Sequence, residues 1–247
     1  MTRIPQRIVP GNIMVFDVET TGLLPRGLSL LPSTVNQFPY IIQLSYILYN
    51  TRRKSIEQVS DMHVRIPSSV TLSPKITELT GITRQKCDSG MPILTALQNF
   101  YDAYQSCEWV VAHNIKFDRS MIRVELQRHA DVLEGPLAPM SRMFDKTTEI
   151  PREYCTMFHG IDLCSIMVKS KTGDLYKKWP RLEELYNRLF PDELSPEGFH
   201  NAYIDMLVCL RCYLEMNKRP ITKDKFHSLC AELKPFPDSP TNATASH

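Results

Sequence analysis

Ile13-Met14-Val15-Phe16-Asp17-Val18-Glu19-Thr20-Thr21-Gly22 decides both the fold and the chemistry. Four apolar residues in a row, Ile13 to Phe16, form a short run with the composition of a buried strand. The run then gives way to carboxylates. Side chains alternate across a strand, so Asp17 and Glu19 leave the same face. Two like charges at the end of a core strand cost free energy unless a cation neutralises them. Hard oxygen ligands suit Mg²⁺ or Mn²⁺. An acidic turn after a strand is the plainer alternative, and the pair alone does not decide between the two.

Downstream, residues 23–40 carry Pro25, Pro32 and Pro39 and read as a long loop. Ile41 to Tyr49 is a second strand and roughly Val59 to Ile66 a third. The short link at Asn50–Lys54 implies an antiparallel hairpin. Short helical material follows Pro74. Ile93, Leu97, Phe100 and Tyr104 then recur with helical spacing. Trp109 to Ala112 is another buried strand. Phe117, Met121 and Val124 begin a helix with Arg119, Arg123 and Arg128 on its other faces. Residues 131–160 read as irregular. A helix runs from Pro180 to about Phe190, and another from about His200 to Met216. A last short helix follows Thr222, and the Pro/Ser/Thr-rich tail from Lys234 reads as disordered. Strands first, then strand–helix alternation, then helices imply an α/β mixed sheet flanked by helices.

The chain has 247 residues, 43% of them apolar and 23% charged, which suits a soluble globular protein with a full core. A net charge of +2 neither demands nor excludes a nucleic-acid partner, because a local basic groove suffices. The seven cysteines are an odd number, the opening residues lack an apolar signal core, and no run suits a membrane span. The expectation is an intracellular, reducing compartment, cytoplasm or nucleus, without secretion or membrane insertion. Cys209-x-x-Cys212 looks like half a zinc site, but it has no matching second pair and its helical pattern assigns it to the core.

Three further side chains qualify the acidic pair. Asp118 follows the strand at 109–112, near a strand end where ligands collect in open α/β sheets. His200 and Asp205 are five residues apart and would point about 140° apart on one continuous helix. They reach one site only if His200 lies on the loop or first turn, which Pro196 and Gly198 make plausible. Alone, each has an ordinary reading as a helix-start Asp, a surface His or a solvated Asp.

Together, Asp17-Val-Glu19-Thr-Thr-Gly22, Ala112-His-Asn114-x-x-Phe-Asp118 and His200-x4-Asp205 resemble the DEDDh group of the DnaQ-like exonuclease family. Ile41-Ile-Gln43-Leu, Leu79-Thr-Gly-Ile-Thr83 and Lys178-Trp-Pro-Arg-Leu182 add supporting matches, and the resemblance covers about residues 12–216. The sister group places a Tyr four residues before the last Asp; Asn201 stands there, so the His branch is indicated. The resemblance implies a ribonuclease H-like fold in an exonuclease domain at 8–217, with 218–247 as a C-terminal helix and tail. It implies two Mg²⁺ or Mn²⁺ ions about 3.5–4 Å apart, held by Asp17, Glu19, Asp118 and Asp205, with His200 as general base. Thr20, Thr21, Gly22 and Leu23 match the segment that holds the terminal nucleotide in the family, and Asn114 is a further substrate contact. The expected activity is 3′→5′ removal of nucleoside 5′-monophosphates from nucleic-acid 3′ ends. DNA is favoured because Glu-Thr-Thr-Gly resembles proofreading subunits of bacterial polymerases. RNA trimming and a non-catalytic nucleic-acid-binding role are the alternatives. A polymerase or another replication or repair protein is the partner considered. Arg119, Arg123, Lys177, Lys178 and Arg181 are candidate phosphate guides.

Overall fold

A computed structural model describes residues 8–145 and 151–231; the tail expected from Lys234 lies outside them. The main sheet comprises β1 (Asn12–Thr20), β2 (Ile41–Asn50), β3 (Ser55–His63), β4 (Trp109–Ala112) and β5 (Arg152–Cys155), in the order β3-β2-β1-β4-β5. β1 pairs antiparallel with β2, and β2 with β3. β1 pairs parallel with β4, and β4 with β5. The expected mixed sheet is therefore present.

The helices follow as α1 (Pro74–Thr80), α2 (Arg84–Ser89), α3 (Ile93–Tyr104), α4 (Ile115–Arg128), α5 (Thr156–His159), α6 (Ile161–Cys164), α7 (Leu182–Leu189), α8 (Ala202–Met216) and α9 (Lys223–Ala231). A separate hairpin, β6 (Met167–Lys169) and β7 (Leu175–Lys177), stands between α6 and α7. Alternation along β1 divides the core in two. Met14, Phe16 and Val18 pack with Leu97 and Phe100 of α3 and Met121 of α4. Ile13 and Val15 pack with Leu185 of α7 and Met206, Cys209 and Leu210 of α8. Asp17 shares the parity of Ile13 and Val15, so it belongs to the α8 face. Among the described residues, no helix is long and apolar enough to cross a membrane.

Several boundaries and one whole region depart from expectation. β3 begins at Ser55 and stops at His63, several residues earlier than its apolar pattern implies, because the turn after β2 enforces pairing from Ser55 onward. Residues 131–160 are not simply irregular: 3-10 turns at Ala130–Val132 and Gly135–Arg142 precede β5 and α5. β5 is a sheet edge with the sequence Arg-Glu-Tyr-Cys, so only half of it is covered and it lacks an apolar run. Charged side chains hold it from outside: Arg119 pairs with Glu153, and Arg152 lies over the Trp109 ring. α7 starts at Leu182, with Arg181 as its N-cap.

Arg128 does not point away from the body of the protein. Its Nη1 lies 2.6 Å from Glu125 Oε1, and both side chains are buried. Its Nη2 donates to the carbonyls of Val35, Phe38 and Pro39, and its guanidinium lies 3.7 Å from the Tyr40 ring centroid. Glu125 also accepts from Ile41 N. The pair fastens the end of the 23–40 loop to α4. Cys209 and Cys212 are free, buried thiols of α8, as the helical pattern implies.

Candidate active site

The site begins where β4 runs out. Its last pairing with β1 is Val15↔Val111. Beyond that point, Val18 N donates to Asp118 Oδ1 at 3.3 Å instead. Asp118 sits in the first turn of α4, and Asn114 makes the turn from β4 into that helix with φ 75°. Asn tolerates this left-handed conformation better than most residues do. Its side chain makes no capping bond.

α8 delivers the other carboxylate. One oxygen each from Asp17, Glu19 and Asp205 lie within 4.8 Å of one another. The start of α8 is fixed by Gln43, a fully buried residue opposite Glu19 in the β1–β2 register. Gln43 Oε1 accepts from Ala202 N at 3.3 Å, and its Nε2 donates to Asp61 Oδ1 at 2.7 Å. The Ser45 hydroxyl donates to the same Asp61 oxygen at 2.5 Å. Asn201 caps the helix through Tyr203 N. His200 therefore lies just outside α8, exposed, with φ 68°. Its N–H donates to Asp205 Oδ2 at 3.2 Å, which puts the two residues side by side without a continuous helix between them.

Burial, followed by repulsion from Asp118, Asp205 and Glu19, raises the Asp17 pKa well above the usual carboxylate range. Burial and the neighbouring Asp205 and Asp118 push Glu19 up to about 8. Burial brings Asp118 to about 8 against the opposing effect of its N–H donors, and Asp205 to about 7. No ion pair among the described residues includes any of the four. Asp118 Oδ2 and Asp205 Oδ1 are buried without a hydrogen-bond partner. Orphaned, mutually repelling, hard oxygen donors are what a divalent cation would satisfy, so the residues fit that group.

Beyond Glu19 the chain is clipped to the end of the loop. Thr21 N donates to Tyr40 O at 2.9 Å, and Tyr40 N donates to Thr21 Oγ1 at 3.0 Å. The Thr20 hydroxyl donates to Gly22 O at 2.6 Å. Both hydroxyls thus serve the shape of the segment. A Cβ on Gly22 would meet nothing within 4 Å, and Leu23 is 85% exposed. The segment presents an open backbone and an unburied apolar side chain beside the carboxylates.

Two residues quoted from the sequence, Gln43 and His113, were assigned no positioning role there. Gln43 carried a weak signal, a polar residue inside Ile41-Ile-Gln-Leu-Ser-Tyr-Ile-Leu. His113 carried none beyond its place before Asn114. Its Nδ1 lies 3.0 Å from Thr156 Oγ1 and its Nε2 3.0 Å from Pro180 O. Burial lowers its pKa to about 4. The ring is therefore neutral, with Nε2–H donating to Pro180 and Nδ1 accepting from Thr156. It straps the Pro180 segment to the end of β4.

The mixed sheet, whose central strand bears two carboxylates joined by one Asp from each of two helices, has the ribonuclease H-like fold. Residues 14–213 match the exonuclease family of the RNase T type, and the chain belongs to that family. It is similar to the nuclease domain of 3′hExo, a DEDDh family member solved with rAMP, at 17% identity and TM-score 0.52, over 84% of this chain and 92% of that one. It is similar to E. coli exonuclease I solved with a dA16 oligonucleotide, at 13% identity and TM-score 0.55, over 90% of this chain and 43% of that one. A PolC-type DNA polymerase III of Streptococcus agalactiae is 33% identical over 116 residues. That match covers 47% of this chain and only 7% of the polymerase.

Proposed function

We propose that the protein is a 3′→5′ exonuclease that hydrolyses the last phosphodiester bond at a free 3′ end and releases a nucleoside 5′-monophosphate. The observation that carries this reading is the group of four carboxylates, Asp118 buried and Asp17, Glu19 and Asp205 half-buried, beside the open segment Thr20–Leu23. Asp17, Glu19, Asp118 and Asp205 would hold two divalent cations, Mg²⁺ or Mn²⁺, which when bound stabilise charge on the scissile phosphate and acidify an attacking water. Thr20, Thr21, Gly22 and Leu23 seat the terminal nucleotide, with Leu23 against the base and the backbone of Gly22 close to the sugar. Asn114, uncommitted to a cap, faces substrate from the other strand end. His200, beside Asp205 at the start of α8, takes the water's proton as general base. The attacking oxygen bonds to phosphorus, and the 3′ oxygen of the preceding nucleotide leaves.

Single-stranded or mismatched DNA is the favoured substrate, because frayed ends lower the cost of unpairing. The polymerase relatives and the solved complexes of E. coli exonuclease I with DNA oligonucleotides support this preference. RNA trimming is the second reading, supported by the rAMP complex and by the 3′-exonuclease solved on a histone mRNA stem-loop. The polymerase relatives also point to a polymerase or repair protein as partner, within an intracellular compartment.

The test offers the purified protein with Mg²⁺ linear DNA and RNA of one sequence, labelled at either end, and closed circular single-stranded DNA. Mononucleotides should appear first from the 3′ end, DNA should go faster than RNA, and circles should survive. Asp17→Asn should abolish cleavage with folding nearly intact. Efficient cutting of circles, or release from the 5′ end, would overturn the proposal.

A further inference from the structure

We propose that the β6–β7 hairpin and Trp179 form a second nucleic-acid contact, a platform that grips the single strand upstream of its terminal nucleotide. This extends the exonuclease reading and rests on it for the direction of the strand.

The hairpin pairs Met167 with Lys177, Val168 with Tyr176 and Lys169 with Leu175, apart from the main sheet. An isolated two-stranded hairpin is marginal by itself. This one is tied at both ends: Lys178 N donates to Ile166 O at its base, and at its tip Ser170 N donates to Asp174 O. The tip's only carboxylate, Asp174, accepts from the Thr172 hydroxyl at 2.7 Å. Such an ordered arm with no core of its own gives no structural reason to display large apolar side chains. Yet Leu175 is 62% exposed, Tyr176 51% and Trp179 65%.

Its charge is one-sided. Between residues 166 and 181 stand Lys169, Lys171, Lys177, Lys178 and Arg181 against the single Asp174. Lys169 and Lys171 have no ion-pair partner among the described residues. Lys177 pairs with Asp162, and Lys178 and Arg181 pair with Glu184. Solvent-accessible pairs of this kind contribute little and exchange readily for phosphates. Tyr176-Lys-Lys-Trp179 sets two aromatic faces around two cations, the combination that stacks bases and tracks a backbone. An apolar protein partner would account for the aromatic rings but leave this excess of cations unmatched.

The location is set by His113. It follows β4, whose last pairing with its parallel neighbour β1 is Val15↔Val111, two residues before Asp17. Its bond to Pro180 O brings the residue after Trp179 to the end of the sheet where Asp17 and Glu19 emerge. A strand whose 3′ end enters the carboxylates can therefore continue onto the platform.

The test compares the wild type with a variant carrying Lys169→Ser, Lys171→Ser, Tyr176→Ala and Trp179→Ala, all at exposed positions. Cleavage is followed on DNA strands of about 3 and about 15 nucleotides, and binding of the same uncleaved strands is measured in an Asp17→Asn background. The variant should raise KM for the longer strand about tenfold or more, leaving kcat and the short strand within about twofold. Its affinity should also depend less steeply on salt, by roughly 0.7 in logarithmic slope per lost phosphate contact. Trp179→Phe alone should keep most of the long-strand affinity. Equal losses on both lengths, or an unchanged long strand, would overturn the platform; the latter would mark the surface as a protein-docking face. If the wild type degrades nothing, the exonuclease reading fails, and the binding arm still decides whether the platform exists.

Discussion

Asn114 and His200 both have positive φ, at 75° and 68°. Each is the residue at which the chain turns before entering a helix that supplies an Asp. For His200 this creates two separable roles, because the backbone conformation and the imidazole can be tested apart. His200→Ala should lower the single-turnover rate about 10²–10⁴-fold while leaving metal affinity intact. His200→Asn keeps a residue that tolerates φ > 0 but cannot take the proton, and it should lose as much. A near-wild-type rate in His200→Asn would show that only the turn matters. At this scale, Asp17 and Glu19 were legible because strand alternation is strict. Asp118 and Asp205 were not legible alone: a helix-start Asp has the same appearance whether or not a strand end needs its oxygen. They became legible only as parts of a three-motif pattern.

Among the elements, the start of α8 governs the site. That helix carries Asp205 and is anchored by a side chain on β2 as well as by its own cap, Asn201. Gln43→Leu removes the acceptor for Ala202 N and the donor to Asp61. Asp61 keeps the Ser45 hydroxyl, but leaving the buried Ala202 N–H unpaired costs roughly 1–3 kcal/mol. Urea unfolding should register that loss, and the cleavage rate should fall well beyond what the unfolded fraction explains, because Asp205 and His200 shift together. A variant that loses stability yet cleaves at the wild-type rate would reduce Gln43 to a core residue. The cross-link was hidden in the sequence because a polar residue in an apolar run announces burial and need, not the partner that meets the need. β5 was hidden for a different reason. It pairs as an edge strand, and its charged side chains find partners on α4 and β4 that no local pattern encodes. The β6–β7 hairpin, three residues per strand, is too short to show a period.

For the whole molecule, the clustered carboxylates set how stability varies with pH. A carboxyl group whose folded pKa is raised confers stability that is complete below its unfolded value and is lost as pH rises through the folded one. Glu19 and Asp118 near 8 and Asp205 near 7 therefore weaken the metal-free fold as it approaches about pH 8. His113, held neutral by burial with a pKa near 4, acts in the opposite sense, but only up to about pH 6.5. Glu184 and Glu193 lie below the usual range, so their contribution is complete above about pH 5. Between about pH 6.5 and 8 the carboxylates act without that opposition. In chelator, Tm should fall across this interval, and Mg²⁺ should raise Tm more at its upper end. Asp118→Asn should flatten the slope. A chelated protein whose Tm stays level or climbs there would contradict the shared charge burden assigned to the four residues.

The sequence contains two tryptophans, and the fold sends them to different surroundings. Trp109 lies half-buried in β4 beneath Arg152, whereas Trp179 stands 65% exposed just after the β6–β7 hairpin. The molecule thus carries two intrinsic fluorophores with separate environments. Emission from Trp109 should report on the integrity of the sheet. Emission from Trp179, isolated in Trp109→Phe, should be quenched when a base stacks on its indole. Strand capture can then be timed optically, without a label, in the dead time before the first bond is cut.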